Sequence, residues 1–142
     1  MAQRVLVPVD RSEQAHEACR LACELFPDAT LVFLHVINPA EAGFSSEATI
    51  PSFPEGWYEH EKAIAESLFD DLESHVDIHG PEVERVIELG QPTRTIIDCA
   101  EKEAIDHIVM GSAGRKGVSR LVLGSVAENV VRRSPVPVTV TR

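Results

Sequence analysis

The sequence has no long hydrophobic run. Its longest, Leu31-Val32-Phe33-Leu34, is far short of the ~18 apolar residues that a membrane-spanning helix requires, so no membrane partner is expected. The opening from Met1 to Asp10 holds too short an apolar stretch for a secretory signal and no small-residue cleavage site, so a cytoplasmic location is expected. Cysteine is scarce: Cys19, Cys23 and Cys99 form no even, closely spaced framework, and reduced thiols are the expected state. Positive charge is scarce too. Lysine occurs only at Lys62, Lys102 and Lys116, and 13 Lys+Arg oppose 23 Asp+Glu for a formal charge of -10. That balance repels nucleic acid backbones and argues against DNA or RNA as the main partner. Surplus acid with little lysine suits a salt-rich cytoplasm, and it equally suits an ordinary acidic bacterial protein.

Catalytic signatures are missing as well. No Ser-His-Asp order, H-E-x-x-H or C-x-x-C pattern is present. A Walker loop needs a Gly-Lys-Ser/Thr triplet, and none occurs; the dinucleotide fingerprint G-x-G-x-x-G is also absent. His16, Cys19 and Cys23 fall on related helical faces, but the two cysteines belong to the apolar face, where a free thiol behaves as a small hydrophobe, and no metal is expected there. His75, Asp77 and His79 read as a solvated turn.

What is present is ordinary globular composition, 44% hydrophobic and 25% charged, over 142 residues. One domain spanning residues 1–142 is expected, with little disorder. Strand and helix patterns alternate from end to end. Val5-Leu6-Val7-Pro8-Val9 is apolar on both faces and predicts a buried strand. Ala15, Ala18, Cys19, Ala22, Cys23 and Phe26 recur at helical spacing and predict a helix covering that strand. Further strands are predicted at Thr30 to Val36, Val83 to Leu89, Ile105 to Met110 and Val136 to Thr141. Further helices are predicted at Trp57 to Val76, with Ile64, Leu68, Leu72 and Val76 as its stripe, at Pro92 to Glu103 and at Ser125 to Arg133. Residues 38–56 carry prolines and glycines that exclude a regular element. A connection of that length reads as a lid, a binding loop or a disordered excursion.

Five strands separated by helices imply right-handed crossovers and a parallel sheet covered on both faces. Ligands of such sheets bind beyond the carboxyl ends of the strands, so function is sought after residues 9, 36 and 110. The richest segment there is Gly111-Ser112-Ala113-Gly114-Arg115-Lys116-Gly117, followed by Leu123-Gly124-Ser125-Val126-Ala127-Glu128. Ser125-x-x-Glu128 reads as a capping box that starts a helix at Val126. Free amides and the positive dipole end at a helix start favour an anion such as phosphate. Gly111, Gly114 and Gly124 leave room for one to approach the backbone, and Arg115 and Lys116 supply cationic donors. Asp10, ending the first strand, reads either as an N-cap for the helix that follows or as a ligand carboxylate.

The spacing G-x2-G-x9-G-S, from Gly111 through Gly114 to Gly124-Ser125, resembles the nucleotide-binding signature of the universal stress protein family. The resemblance runs the length of the chain, through Val-Leu-Val-Pro-Val-Asp ending at Asp10, Leu34-His35-Val36, Gly90-Gln91-Pro92 and Pro135-Val136-Pro137-Val138. It implies a three-layer α/β fold of the adenine nucleotide alpha hydrolase-like or flavodoxin-like kind, with strand order 3-2-1-4-5. It implies ATP as ligand, with Mg2+ or Mn2+. By likeness to ATP-binding members, Asp10 contacts the ribose hydroxyls, Pro8, Val9 and Val36 border the adenine, and Met110 packs beneath it. Gly111, Ser112, Gly114, Arg115, Gly124, Ser125 and Val126 would then surround the phosphates. Ala113 departs from the pattern, since many members carry histidine or arginine there, and it removes any phosphate contact from that side chain. The resemblance further implies a homodimer through Val136 to Thr141 that signals to, or protects, an unnamed protein partner in stress response. Ser125 is a candidate phosphoryl acceptor, but a serine nucleophile needs a base and the sequence names none, so at most weak ATP hydrolysis is expected, with Mg2+ held between the phosphates and Asp10. A non-nucleotide interaction dimer is the remaining alternative.

If the charge of -10 reflects a saline cytoplasm, screening relieves self-repulsion and the melting temperature rises steeply between low and molar salt. A melting temperature flat over that range refutes the saline reading.

Overall fold

The computed structural model describes residues 3–43, 54–112 and 123–142. In chain order the elements are β1 (Arg4–Pro8), α1 (Glu13–Leu25), β2 (Thr30–Ile37), a 3-10 turn (Pro39–Ala42), α2 (Trp57–His75), β3 (Glu82–Leu89), α3 (Pro92–Lys102), β4 (His107–Gly111), α4 (Ser125–Arg133) and β5 (Val138–Thr141). The strands form one sheet in the order β3-β2-β1-β4-β5, and every neighbouring pair is parallel. Fold class and strand order are those expected from the sequence.

The near-continuous apolar runs of the inner strands have a direct cause: both faces of the sheet are covered. Side chains alternate across a strand, so Val5, Val7, Leu31, Phe33 and Val109 meet Ala15, Ala18, Cys19 and Ala22 of α1 and Leu68, Phe69 and Leu72 of α2 on one face. Leu6, Val32, Leu34, Ile108 and Met110 meet Ile96, Cys99 and Ala100 of α3 and Ala127 and Val130 of α4 on the other. These two apolar layers make the core.

Several boundaries differ from the sequence reading, each for a local reason. Residues 38–56 do contain a regular turn: Asn38 Oδ1 accepts the Ala40 N–H at 3.1 Å, and Pro39, whose ring presets φ, opens a 3-10 turn that ends at Gly43 with φ 85°. Residues 44–53 of that connection lie outside the described residues. β5 starts at Val138, two residues later than expected, because the Val136 N–H is taken by Ser134 Oγ at 3.1 Å and Pro137 has no N–H to give. On α2 the every-fourth stripe misses Phe69, which is fully buried and stacks on Phe33 with ring centroids 6.5 Å apart. A helical period of 3.6 drifts off a four-residue stripe, so the buried set is Ala65, Leu68, Phe69 and Leu72, and Ile64 is only half-buried.

Candidate functional site

The carboxyl ends of β1, β2 and β4 and the start of α4 surround a cleft of about 760 Å3. Of the residues named from the sequence, Pro8, Val9, Asp10, Val36, Met110, Gly111, Ser112, Gly124, Ser125 and Val126 all line it. Gly114 and Arg115, with Ala113 and Lys116, lie outside the described residues. The lining also includes Ser12, His35, Glu41, Pro92 and Ile96, none of which was assigned from the sequence. Leu34-His35-Val36 and Gly90-Gln91-Pro92 had marked the right strand and turn. Ile96 reaches the cleft from the buried face of α3.

At the β1 end, the Val9 N–H donates to Leu34 O at 2.8 Å and the Val9 carbonyl accepts from His35 Nδ1 at 3.0 Å. Asp10 Oδ1 accepts the Ser12 N–H at 2.8 Å. Ser12, not Asp10, is the N-cap of α1: its Oγ accepts the Ala15 N–H at 3.3 Å. The N-cap reading of Asp10 is thereby corrected, because its carboxylate closes the turn that leads into the cap.

At the β4 end, the Ser112 N–H donates to Thr141 O at 2.7 Å and the Gly124 N–H to Ser112 O at 2.6 Å. The second bond pins Gly124 and starts α4 one residue earlier than the capping box implied. Gly124 is the N-cap, with its carbonyl accepting the Glu128 N–H at 2.9 Å, and it carries no side-chain cap bond. Ser125 is therefore the first helical residue, and Glu128 pairs with Arg132 at 2.9 Å rather than reaching back to the cap. First-turn amides have no intrahelical acceptor, so Ser125, Val126 and Ala127 present N–H groups at a positive dipole end on the cleft wall. Leu34, Val36, Ile96 and Met110, beside Pro8 and Pro92, give the cleft its apolar surface, and His35 and Glu41 line it as well.

The glycines divide in their roles. A Cβ at Gly111 would lie 2.5 Å from Gln14 Cβ and 3.2 Å from the Gln14 carbonyl carbon, so this glycine lets α1 pack on the end of β4. Gly124 has φ -64° and ψ 158°, an extended conformation open to any residue, so no left-handed backbone demands glycine there. The other candidate clusters do not converge. His79 pairs with Asp77 at 2.8 Å in a highly exposed turn, whereas His75 pairs with Asp71 at 3.0 Å. Burial pushes the Cys19 thiol up to about 12 and that of Cys99 up to about 11, so both stay protonated at neutral pH.

An open parallel sheet with helices on both faces and a cleft at the carboxyl ends of its central strands defines a doubly wound α/β domain. The chain belongs to the universal stress protein family, which it matches over residues 1–142. It is 29% identical to universal stress protein MJ0577 of Methanocaldococcus jannaschii, over 100% of this chain and 96% of the relative. It is 28% identical to universal stress protein YxiE of Bacillus subtilis over the full length of both. The structure is similar to the solved structure of MJ0577, with a TM-score of 0.83 and 30% identity over 99% of this chain and 96% of that one. It is also similar to universal stress protein UspA from Lactobacillus plantarum, with a TM-score of 0.78 and 27% identity over 99% and 97%. Two more distant structures share the fold. One is a universal stress protein in complex with cAMP, with a TM-score of 0.66 and 22% identity over 99% and 97%. The other is the Archaeoglobus fulgidus protein in complex with dAMP, with a TM-score of 0.63 and 19% identity over 100% and 98%. Among the described residues, no helix is long and apolar enough to cross a membrane.

Replacing glycine with alanine usually stabilises through the unfolded chain, but Gly111→Ala must push against Gln14 of α1. The expected result is a loss of about 1–3 kcal/mol in urea unfolding. A variant as stable as wild type shows that α1 does not rest on Gly111.

Proposed function

We propose that the cleft binds an adenine nucleotide, ATP with Mg2+ or Mn2+, and that the protein acts in the cytoplasm as a nucleotide-dependent signalling or protective homodimer in stress response. The observation that carries the reading is the convergence of Asp10, Val36, Met110 and the first turn of α4 on one cleft, from four separate parts of the chain. The chemistry suits each end of such a ligand. Pro8, Val9, Val36 and Met110 offer apolar surface to a flat base, and the Asp10 carboxylate is an acceptor for vicinal ribose hydroxyls. Phosphates fit the amides of Ser125 and Val126 beside Gly111, Ser112 and Gly124, and Gly114 and Arg115 are assigned to them by family likeness. A divalent ion is a hard cation that takes oxygen ligands, and the phosphates of the ligand would supply them. Supporting the class of ligand, neighbours of the same fold are described in complex with cAMP and dAMP.

A side chain at Gly124 enters the space proposed for phosphates, so Gly124→Val is expected to weaken ATP at least tenfold, about 1.4 kcal/mol, with the fold retained. Asp10→Ala weakens ATP and leaves inorganic triphosphate nearly unchanged, because its proposed contact is the ribose. Titration calorimetry with both ligands makes the comparison. Equal ATP affinity in wild type and Gly124→Val places the nucleotide elsewhere.

The homodimer is proposed through the last strand. Among the described residues β5 pairs with β4 alone and ends the sheet, and such an edge is a template for another strand. Val138→Asp is expected to give a folded monomer by light scattering, with circular dichroism as the control. A wild-type protein that is already monomeric at micromolar concentration overturns this proposal.

A further inference from the structure

The ladder between β1 and β2 ends at the Pro8–Leu34 pair, with the Val9 N–H donating to Leu34 O at 2.8 Å. In a regular parallel ladder the next rung is a bond to the Val9 carbonyl from a backbone amide of β2. Here that carbonyl accepts instead from the imidazole of His35, at 3.0 Å from Nδ1. A carbonyl oxygen only accepts, so Nδ1 carries the proton in this bond. The peptide unit is planar and trans. Holding the Val9 carbonyl toward β2 therefore turns the Asp10 N–H to the opposite side and fixes where the Asp10 side chain leaves the strand. The carboxylate is then held from beyond by the Ser12 N–H at 2.8 Å. His35 is half-buried at the cleft wall and Asp10 sits on the same wall.

We infer that His35 is a positioning residue for Asp10: its Nδ1–H replaces the last backbone rung between β1 and β2 and sets the carboxylate toward the ribose of a bound nucleotide. The inference rests on the nucleotide reading of the cleft given above. It acts on the sugar end of the ligand and leaves the phosphate end, at α4, untouched.

Three proteins test it: wild type, His35→Leu, which has no donor, and His35→Asn, whose Nδ2 stands as far from the backbone as histidine Nδ1. Calorimetry with ATP and with inorganic triphosphate is the measurement. Loss of one backbone-directed hydrogen bond predicts ATP binding about five- to tenfold weaker in His35→Leu, with triphosphate unchanged and His35→Asn within about twofold of wild type. Equal ATP affinity in wild type and His35→Leu overturns the inference. So does an equal loss of ATP and triphosphate, or a His35→Asn as weak as His35→Leu, since either marks a general structural role. A wild type that binds triphosphate but shows no gain from the adenosine moiety overturns the reading of the cleft itself, a result distinct from the others. Should His35→Leu fail to fold, nitrogen NMR of the neutral wild-type His35 ring decides: it must be the Nδ1–H tautomer, and an Nε2–H tautomer overturns the inference.

Discussion

β1 is bonded on both sides, but not to the same depth. Toward β2 it pairs from Arg4 to Pro8, whereas toward β4 the register covers only Val5 with His107 and Leu6 with Ile108. Beyond Leu6 the two central strands part company. β4 continues with β5 instead, through Val109, Met110 and Gly111, and the Ser112 N–H extends that ladder to Thr141 O. A gap is thereby forced open between Val9–Asp10 and Met110–Gly111, where the strand order of the sheet reverses and ligands of such folds collect. One mouth of the gap is closed by α1, which approaches closely enough that Gly111 can carry no side chain. The cleft follows from this divergence.

The fold was legible because burial on both faces writes itself into the sequence. Val5-Leu6-Val7 and Leu31-Val32-Phe33-Leu34 are apolar without alternation, and the structure buries all of them. Strand ends were less legible because they depend on single hydrogen bonds, such as Ser134 Oγ taking the Val136 N–H. The site was readable where glycine spacing and an acidic strand end made a pattern, at Asp10, Gly111 and Gly124. It was not readable where a residue reaches the cleft through tertiary placement alone. Ile96 arrives because α3 packs over Leu34, and Glu41 because Asn38 and Pro39 build a turn beyond β2. The capping-box reading failed for a related reason. A local motif competed with the bond from Gly124 to Ser112 O, which comes from the preceding strand, and the tertiary bond decided where α4 begins.

The charge of the chain bears on how the proposed ligand is held. At -10 the protein repels an approaching polyanion, but at physiological ionic strength that field is screened beyond about 8 Å. Attraction must then come from groups in contact, and the cleft is unequal from end to end. The start of α4 offers amides and about half a positive charge, and Glu128, the first-turn acid there, is paired with Arg132. Asp10, beyond the end of β1, brings a carboxylate to the same cleft. A ligand with phosphates at one end and neutral hydroxyls at the other has one favourable direction in such a cleft. Reversed, it would set its phosphates against the Asp10 carboxylate and its hydroxyls against amides that favour anions. On the proposed reading, the same feature that makes an acidic protein a poor general anion binder gives this site its orientation.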